Sequence, residues 1–356
     1  MTTSFKCACC GADLRYSPGS GSLKCEYCGT EFEAEAVEAM AEAAESDAAG
    51  ENINWQHANP QTMENDGSTC TYSCSSCGAQ ITGDRTLAAS FCPYCGNTVV
   101  MSDRLEGMLR PDYIIPFKVE KDAAVAKFKE FCKGKPLLPS GFLSSGRIDS
   151  VEGLYVPYWL FDAGVKGRVR FRAERVHTRR EGDYNVTRTQ HFMLYREGVM
   201  DFEHVPVDGT SKLGAEVTEA VEPFDMHGAA PFAKAYLSGF LADRYDVPQE
   251  TCRPRADERI RQSITSALAN TCRGYTGVRP QQQFISVANG KIAYALLPMW
   301  LMTVNYNGKS YTFAMNGQTG KFVGELPISW AKFWGFFAGI TAALTVILTL
   351  LMNYFG

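Results

Sequence analysis

A repeated cysteine unit constrains the fold of this chain more than any other feature of its sequence. Each unit has two Cys-x-x-Cys-Gly motifs separated by thirteen residues, and the second unit lies 67 positions after the first. The eight cysteines are Cys7, Cys10, Cys25 and Cys28 in the first unit and Cys74, Cys77, Cys92 and Cys95 in the second. Two such pairs brought together by a folded loop supply four thiolates to a tetrahedral Zn²⁺ ion. The spacing therefore predicts two zinc ribbons with one structural ion each.

Redox-active cysteine pairs and iron–sulfur sites are the alternative uses of these motifs. The identical ligand spacing in both units favours zinc, and a closed shell of four cysteines leaves no position for a substrate. Cys9 stands next to Cys10 as another potential ligand, and Cys70 has no counterpart in the first unit, so the roles of Cys9 and Cys70 stay open. Three further cysteines are interpreted as buried apolar residues: Cys132, Cys252 and Cys272.

The charge of the chain is unevenly distributed. Residues 1–103 contain four basic and fourteen acidic residues, a balance of −10, which leaves +6 for the remainder of a chain whose net charge is −4. Since binding to nucleic-acid phosphates depends on Lys and Arg, the acidic ribbon region argues against nucleic acid. It favours contact with a basic protein surface or a role in holding two parts of the same chain together. The basic run 166–180 fits either contact with anionic lipid headgroups or the solvated outer face of a sheet.

The end of the sequence is apolar. Residues 333–356 include no charged side chain, and a helix of this length extends about 36 Å, enough to cross a hydrocarbon core of about 30 Å. Trp330, Trp334 and Tyr354 lie near its ends, where aromatic side chains favour the membrane interface. We therefore predict a single C-terminal transmembrane anchor at 329–356.

The orientation of this anchor follows from charge and from the thiols. Lys321 and Lys332 precede the span and no charge follows it, which places the preceding domains in the cytoplasm by the positive-inside rule. The sequence begins without an apolar signal segment, and metal-binding thiols need a reducing compartment. We expect a single-pass protein of the cytoplasmic membrane with its N-terminal domains in the cytoplasm.

The predicted fold is multidomain, with two small four-cysteine zinc ribbons and an α+β body that contains antiparallel sheets. The expected domains are ribbon 1 at 1–32, an acidic helix and linker at 33–69, ribbon 2 at 70–103, the body at 104–328 and the anchor. Helical periodicity predicts helices at Asp122–Cys132 and Pro254–Cys272.

An internal duplication is predicted in the body. Leu154–Arg172 is similar to Ala295–Phe313 at a displacement of 141, which suggests two related halves, about 104–207 and 208–328. The alignment matches Gly167 with Gly308, so we expect each copy to form a strand, a tight turn at this glycine and a returning strand. In the second copy, Asn307-Gly308 is the preferred pair for a type I′ turn.

The sequence gives little sign of catalysis. It lacks a phosphate-binding glycine loop, a GxSxG motif and an HExxH motif, and its five histidines are scattered singly. Asp225-Met226-His227-Gly228 could hold an acid–base pair, but a turn is the simpler interpretation. We therefore expect no catalytic residues and no enzymatic activity.

The body motifs add a family resemblance. An Ile115-Pro116-Phe117 segment, the strand motifs Val156-Pro157-Tyr158-Trp159 and Leu297-Pro298-Met299-Trp300, and a following NGQTGKFVGELP accompany the ribbons and the terminal span. This order resembles bacterial proteins labelled "TFIIB-type zinc ribbon" proteins, and some relatives resemble the membrane partners of PspA-type envelope-stress proteins. The label implies a transcription or replication link, and the membrane partners imply a role in envelope stress.

Three functions remain as hypotheses. The first is a membrane-anchored scaffold or adaptor whose ribbons bind cytosolic proteins and whose body lies near the bilayer or a co-anchored membrane subunit. The second is a zinc-ribbon protein associated with nucleic acid and tethered to the membrane. The third is a membrane-bound enzyme with a pocket between the two body repeats.

Overall fold

The structure, a computed structural model, describes most of the 356 residues. The described ranges are 5–7, 9–17, 22–37, 55–57, 69–74, 76–84, 92–95, 99–102, 109–142, 148–237 and 239–355. Fifteen strands are assigned there: β1 (Leu14–Ser17), β2 (Ser22–Cys25), β3 (Glu31–Glu33), β4 (Trp55–His57), β5 (Thr69–Cys74), β6 (Gln80–Asp84), β7 (Val99–Ser102), β8 (Tyr113–Ile114), β9 (Ile148–Glu181), β10 (Tyr184–Asp208), β11 (Ala230–Pro231), β12 (Leu241–Asp243), β13 (Thr276–Tyr306), β14 (Lys309–Asn316) and β15 (Phe322–Val323). The longer helices are α1 (Lys121–Cys132), α2 (Ala215–Ala220), α3 (Gln249–Asn270) and α4 (Trp330–Phe355).

The chain divides into two compact units made of interleaved segments. Unit 1 comprises Met1–Ala58, Leu160–Pro206 and Arg253–Ile292, and unit 2 comprises Asn59–Trp159, Val207–Cys252 and Ala293–Gly356. The predicted domains follow one another along the sequence, whereas β9 and β13 each contribute to both units. An α+β body with antiparallel sheets is confirmed, but the predicted internal duplication is not.

In unit 1, ribbon 1 forms a small antiparallel sheet in the order β1-β2-β3. Its core consists of buried Cys7, Leu23, Cys25, Phe32 and Val37, and Met193 and Tyr195 of β10 pack against it. The predicted acidic helix begins only after β3, since residues 34–37 are helical, and its continuation lies outside the described residues. Ribbon 1 is thus held on β10 by apolar contacts.

Part of the predicted linker is an ordered strand of unit 1. β4 pairs in parallel with β13, where Trp55 lies opposite Gly290. The Trp55 ring meets Phe161 edge-on at 5.1 Å, and its Nε1 donates to Asp257 Oδ1 at 3.2 Å. The linker prediction is wrong for this segment, because its polar composition gave no sign that Trp55 is buried and fixes the segment to the sheet.

The turn predicted for the first body repeat is absent. β9 runs without interruption from Ile148 to Glu181 and pairs with β10. Gly167, which had been aligned with a turn glycine, lies within β9 under α3, and a Cβ there would come within 2.6 Å of Ile264 Cδ1. This glycine allows the close approach of a helix rather than a turn. α3 also begins five residues before Pro254, where its start had been predicted.

In unit 2, ribbon 2 is joined to the sheet of the body. β5 pairs with β6 and β7, and β6 pairs antiparallel with β12, where Thr82 lies opposite Ala242. β12 in turn pairs in parallel with β9, where Leu241 lies opposite Leu154. The backbone of ribbon 2 is therefore continuous, through hydrogen bonds, with the strands of the body.

The second predicted hairpin is confirmed in unit 2. β13 and β14 pair from Met299–Asn316 to Tyr306–Lys309, and Asn307 and Gly308 have φ angles of 52° and 76°. Two successive positive φ angles are the property of the type I′ turn. α1, predicted at Asp122–Cys132, packs its Phe128 on the side of this hairpin that carries Phe313.

Among the described residues, one helix is long and apolar enough to cross a membrane. It covers Trp330–Tyr354, and its apolar side chains are exposed along its length. The start of this helix is attached to unit 2, because Ser329 N donates to Leu137 O at 2.8 Å and Lys332 Nζ donates to Leu138 O at 2.6 Å.

Candidate metal centres

The structure brings together all eight cysteines selected from the sequence, in two groups of four. In each group the four sulfur atoms lie within 4.8 Å of one another. The closest pairs are Cys7–Cys28 at 3.6 Å and Cys10–Cys25 at 3.5 Å in ribbon 1, and Cys74–Cys95 at 3.5 Å and Cys77–Cys92 at 3.6 Å in ribbon 2. These distances are far from the roughly 2.05 Å of a disulfide. They approach the sulfur–sulfur edge of about 3.8 Å expected around a tetrahedral ion with metal–sulfur bonds of about 2.3 Å.

The backbone of each described knuckle explains why glycine follows the second cysteine. Gly11, Gly29 and Gly78 have φ angles of 77°, 72° and 73°, a region that favours glycine. In this conformation their amides donate to the carbonyl oxygens of Cys7, Cys25 and Cys74, respectively, at 2.8–2.9 Å. The fourth such glycine, Gly96, lies outside the described residues. The turn closes the loop and points both thiols of a pair towards the same position.

The thiols of ribbon 1 have contrasting environments. Burial raises the pKa of Cys7 to about 12, whereas the Thr30 hydroxyl, 3.1 Å from Cys28 Sγ, lowers the pKa of Cys28 to about 6. Cys9 N also donates to Cys7 Sγ at 3.4 Å. Hydrogen bonds of this kind stabilise thiolates, the form that binds metal.

The donor set fits a metal ion in both ribbons. Within the part of the chain that the structure describes, these are the two groups of His, Cys, Asp and Glu side chains with ligand atoms close enough to hold an ion. Four sulfur ligands leave no open coordination position, so each ion would organise the fold rather than activate water or a substrate. Cys9 is exposed and is not part of either group, and the side chain of Cys70 lies outside the described residues. Cys132, Cys252 and Cys272 are buried, as predicted.

A buried polar network fixes ribbon 2 to the body, and sequence analysis did not detect it. Tyr94, between the ligands Cys92 and Cys95, donates its hydroxyl to Asp243 Oδ2. Asp243 also accepts from Thr210 Oγ1 and from Lys212 Nζ, both at 3.0 Å. Burial and the Asp243 carboxylate raise the pKa of Tyr94 well above its usual range, which keeps the phenol protonated as a donor. No sequence signal could pair these residues, since Tyr94 and Asp243 are 149 positions apart.

The possible acid–base pair at 225–228 forms a turn, as expected. Met226–Gly228 is a short 3-10 helix, and Asp225 Oδ1 accepts from the backbone amide of His227 at 3.1 Å. The His227 Nδ1 atom lies 3.1 Å from the same oxygen, and the His227 side chain is fully exposed. Asp225 therefore caps the turn and orients an imidazole at the surface.

Comparison with known proteins places the chain in a family. It is 35% identical over 332 residues to the uncharacterized protein YdjG of Bacillus subtilis strain 168, an alignment that covers 93% of this chain and 92% of YdjG. The chain belongs to the YdjG family. The similarity extends over nearly the full length of both proteins, so both units of this chain lie largely within the region shared with YdjG. Neither a protein-family model nor a solved structure matches the chain.

Proposed function

We propose that the protein is a zinc-ribbon scaffold or adaptor, held at the cytoplasmic membrane by α4, that binds partner proteins from the cytoplasm. The two closed four-cysteine groups are the observation that carries this proposal. Zn²⁺ is the ion that suits them, because four thiolates at tetrahedral distances match its preferred coordination. A zinc ion enclosed in this way supports a binding surface and does not perform chemistry.

The character of α4 supports a position at a membrane. Its exposed apolar side chains include Leu344, Ile347 and Leu351, at 54%, 53% and 47% exposure. Transfer of such a surface from water to hydrocarbon is favourable by about 25 cal/mol per Å². The cytoplasmic orientation rests on Lys332 in the first turn of α4, with no charged residue after it, and on the need of the thiols for a reducing environment.

The charge of the ribbon region supports a protein partner. A balance of −10 over residues 1–103 repels nucleic-acid phosphates and suits basic protein surfaces. The proposed link to envelope stress rests on the family resemblance of the ribbon and body motifs. A co-anchored membrane subunit would contact the protein at or near α4.

A crosslinking pull-down from membranes tests this proposal. Tagged full-length protein is crosslinked in cells, extracted with detergent and purified in two parallel samples, one with Zn²⁺ retained and one treated with a chelator before crosslinking. We expect a cytosolic protein to be recovered with the zinc-loaded sample and to be lost on chelation.

Two variants serve as controls. Cys10→Ser removes one ligand from ribbon 1, and Cys132→Ser alters a buried thiol outside both metal groups. The first should reproduce the effect of chelation, and the second should not. Recovery of the same proteins from all four samples would contradict an adaptor function that depends on the ribbons.

A further inference from the structure

Unit 1 contains a cavity beside ribbon 1 that the metal groups do not account for. It has a volume of about 580 Å³, within the range of sites that hold small ligands or the side chains of a bound segment. One wall belongs to the ribbon and the other walls to strands β9, β10 and β13. The lining residues are Cys9, Cys28, Thr30, Arg170, Arg172, His191, Phe192, Met193, Gln281 and Gln282.

Two arginines give the cavity a positive wall. Arg170 and Arg172 both line it, and among the described residues neither guanidinium forms an ion pair or a hydrogen bond. Other cations nearby are paired: Lys166 Nζ lies 2.7 Å from Glu197 Oε1. A guanidinium presents its N–H groups as a planar fork that matches the two oxygens of a carboxylate. The cavity therefore offers two unused sites for an anion.

The remaining lining groups are polar amides and apolar side chains, which suit the backbone and side chains of a peptide. Gln281 and Gln282 can donate to and accept from peptide groups, and Phe192 and Met193 provide a half-buried apolar surface. The Phe192 ring is held in place, because the Arg175 guanidinium lies 5.1 Å from its centroid and Tyr275 meets it edge-on at 5.1 Å. The apolar wall is therefore fixed before a ligand arrives.

The neighbouring groups do not satisfy the arginines. His191 Nδ1 is 3.3 Å from Glu174 Oε1, so that carboxylate already has a partner. The Cys28 sulfur also lines the cavity, but in the zinc-loaded protein it binds the metal and accepts from Thr30. Neither guanidinium donates a hydrogen bond to this sulfur in the part of the chain that the structure describes.

Charge and shape favour an acidic peptide over nucleic acid. A nucleic-acid strand requires cations along its phosphates and aromatic faces for its bases. This cavity has two guanidiniums and one half-buried phenylalanine, which is too few cations and too few exposed aromatic faces for a strand. An acidic residue next to an apolar residue would satisfy both walls.

We propose that this cavity binds an acidic segment of a partner protein, with Arg170 and Arg172 on its carboxylates and Phe192 and Met193 on an adjacent apolar side chain. This inference rests on the proposed adaptor function and specifies the chemistry of one partner segment, which is separate from the basic surface that the acidic residues of 1–103 would attract. The acidic segment would bind between ribbon 1 and the β9–β10 hairpin. The metal of ribbon 1 would therefore stabilise one wall of the site.

A peptide array on zinc-loaded full-length protein in detergent tests the assignment. The array presents heptapeptides in a Gly/Ser background, with Glu or Gln at one or two positions and Leu, Phe or Ser at the neighbouring positions. We expect selection of peptides that carry Glu next to Leu or Phe, and a loss of at least about tenfold in affinity when Gln replaces Glu. A thymidine decanucleotide and inorganic phosphate serve as competing probes.

Matched variants locate the binding. The R170Q/R172Q variant should lose at least about tenfold in affinity for the selected peptides, and R170K/R172K should lose less because it retains the charge without the fork. The R179Q/R180Q variant removes the same charge from an exposed part of β9 and should bind as the wild type does. Zinc content and circular dichroism are measured for each variant.

Three outcomes would overturn the assignment. They are an array without preference for Glu over Gln, equal binding by wild type and R170Q/R172Q, and tighter binding of the decanucleotide than of any peptide. A fourth result would also overturn it: the wild type binds no peptide, and R170Q/R172Q loses zinc. The two arginines would then stabilise the metal cluster and would not bind a ligand. Failure of the adaptor proposal would give a different result. The crosslinking pull-down would then recover no protein in a zinc-dependent way, whereas the peptide array tests the cavity alone.

Discussion

Thr30 is the hydroxyl that lies 3.1 Å from Cys28 Sγ in ribbon 1. A thiolate bound to metal has no proton to donate, so Thr30 donates to the sulfur in the loaded site. The effect on the metal-free thiol is a pKa of about 6 for Cys28. Cys28 is therefore ready to bind metal at neutral pH, while burial raises the pKa of Cys7, so that Cys7 has to lose a proton when metal binds.

Replacement of Thr30 by Val should weaken metal binding at ribbon 1 by about 10-fold to 100-fold. Without the hydroxyl the pKa of Cys28 rises, protons compete with metal at higher pH, and the pH midpoint of release from ribbon 1 moves upwards. A chromophoric chelator followed during acid titration measures this release. Thr30→Ser keeps the hydroxyl and should behave as the wild type, and an unchanged midpoint in Thr30→Val would contradict the assigned role.

Tyr94 should contribute to the stability of unit 2 through its hydroxyl. Tyr94→Phe leaves the packing of the ring but removes one donor to buried Asp243, at a cost of about 1–3 kcal/mol. Asp243→Ala should cost more, about 3 kcal/mol, because it removes the acceptor of Tyr94 and Thr210 and leaves the buried Lys212 with Asp246, at 3.6 Å, as its remaining carboxylate. Urea denaturation of the detergent-solubilised protein compares the two. Equal stability of wild type and Tyr94→Phe would contradict a structural role for this hydroxyl.

The grouping of the eight cysteines into two sets of four could be predicted from sequence, whereas the residues that support these sets could not. Ligand spacing is local, and the thirteen-residue loop between two Cys-x-x-Cys-Gly motifs already specifies which thiols meet. Thr30 is only two positions from Cys28, but no spacing pattern marks it as a hydrogen-bond donor, and Tyr94 acts through a partner whose position depends on the folded chain. Asp243 reaches Tyr94 only because β12 pairs with β6 of ribbon 2.

At the scale of elements, β9 and α3 are in contact at Gly167. A Cβ at this position would lie 2.6 Å from Ile264 Cδ1 and 3.0 Å from Ile264 Cγ1, and Ile264 is buried. This contact explains why the prediction of a turn at Gly167 was wrong: the glycine makes room for Ile264 within a continuous strand. Glycine in the first body repeat was interpreted by analogy with Gly308, but a glycine can also serve to admit a neighbouring side chain, and sequence similarity does not separate the two uses.

Gly167→Ala should destabilise unit 1 by about 1–3 kcal/mol, since overpacking exceeds the gain of about 0.4–1 kcal/mol from a less flexible unfolded chain. Ile264→Val removes the nearest methyl group and should relieve part of the cost. Thermal unfolding of both single variants and the double variant measures the coupling. Additive effects of the two substitutions would contradict the contact.

The two ribbons should differ in what they support. Ribbon 2 shares backbone hydrogen bonds with β12, whereas ribbon 1 has its own sheet and packs on β10 through side chains. Loss of the metal in Cys77→Ser should therefore increase hydrogen exchange in Leu241–Asp243. Cys10→Ser should leave that segment protected and instead affect the neighbourhood of Met193. Exchange followed by mass spectrometry measures both, and identical patterns in the two variants would refute the distinction.

At the scale of the whole molecule, α4 should determine where the protein resides. Leu344→Arg with Ile347→Arg places two charges in the middle of the helix, each at a cost of about 2.5–3.5 kcal/mol in a bilayer. Alkaline extraction of cell membranes should release this variant, while Leu344→Ala with Ile347→Ala should stay in the pellet. Retention of both variants would show that the helix does not hold the protein there.

The α+β class and the apolar helix were predictable because periodicity and hydropathy are properties of short segments. The interleaving of the two units was not, because it depends on which distant strands pair. Trp55 illustrates the difference, since its polar surroundings predict a linker while its indole donates to Asp257, 202 positions away.

The strands β9 and β13 each run through both compact units, as residues 148–181 and 276–306. A cut between residues 159 and 160, or between 292 and 293, would remove from each unit a stretch of backbone that its neighbouring strands need as a hydrogen-bonding partner. Neither unit can therefore be produced from one continuous part of the chain. Expression of partial chains would sever shared strands, so experiments on this protein call for point substitutions in the intact polypeptide.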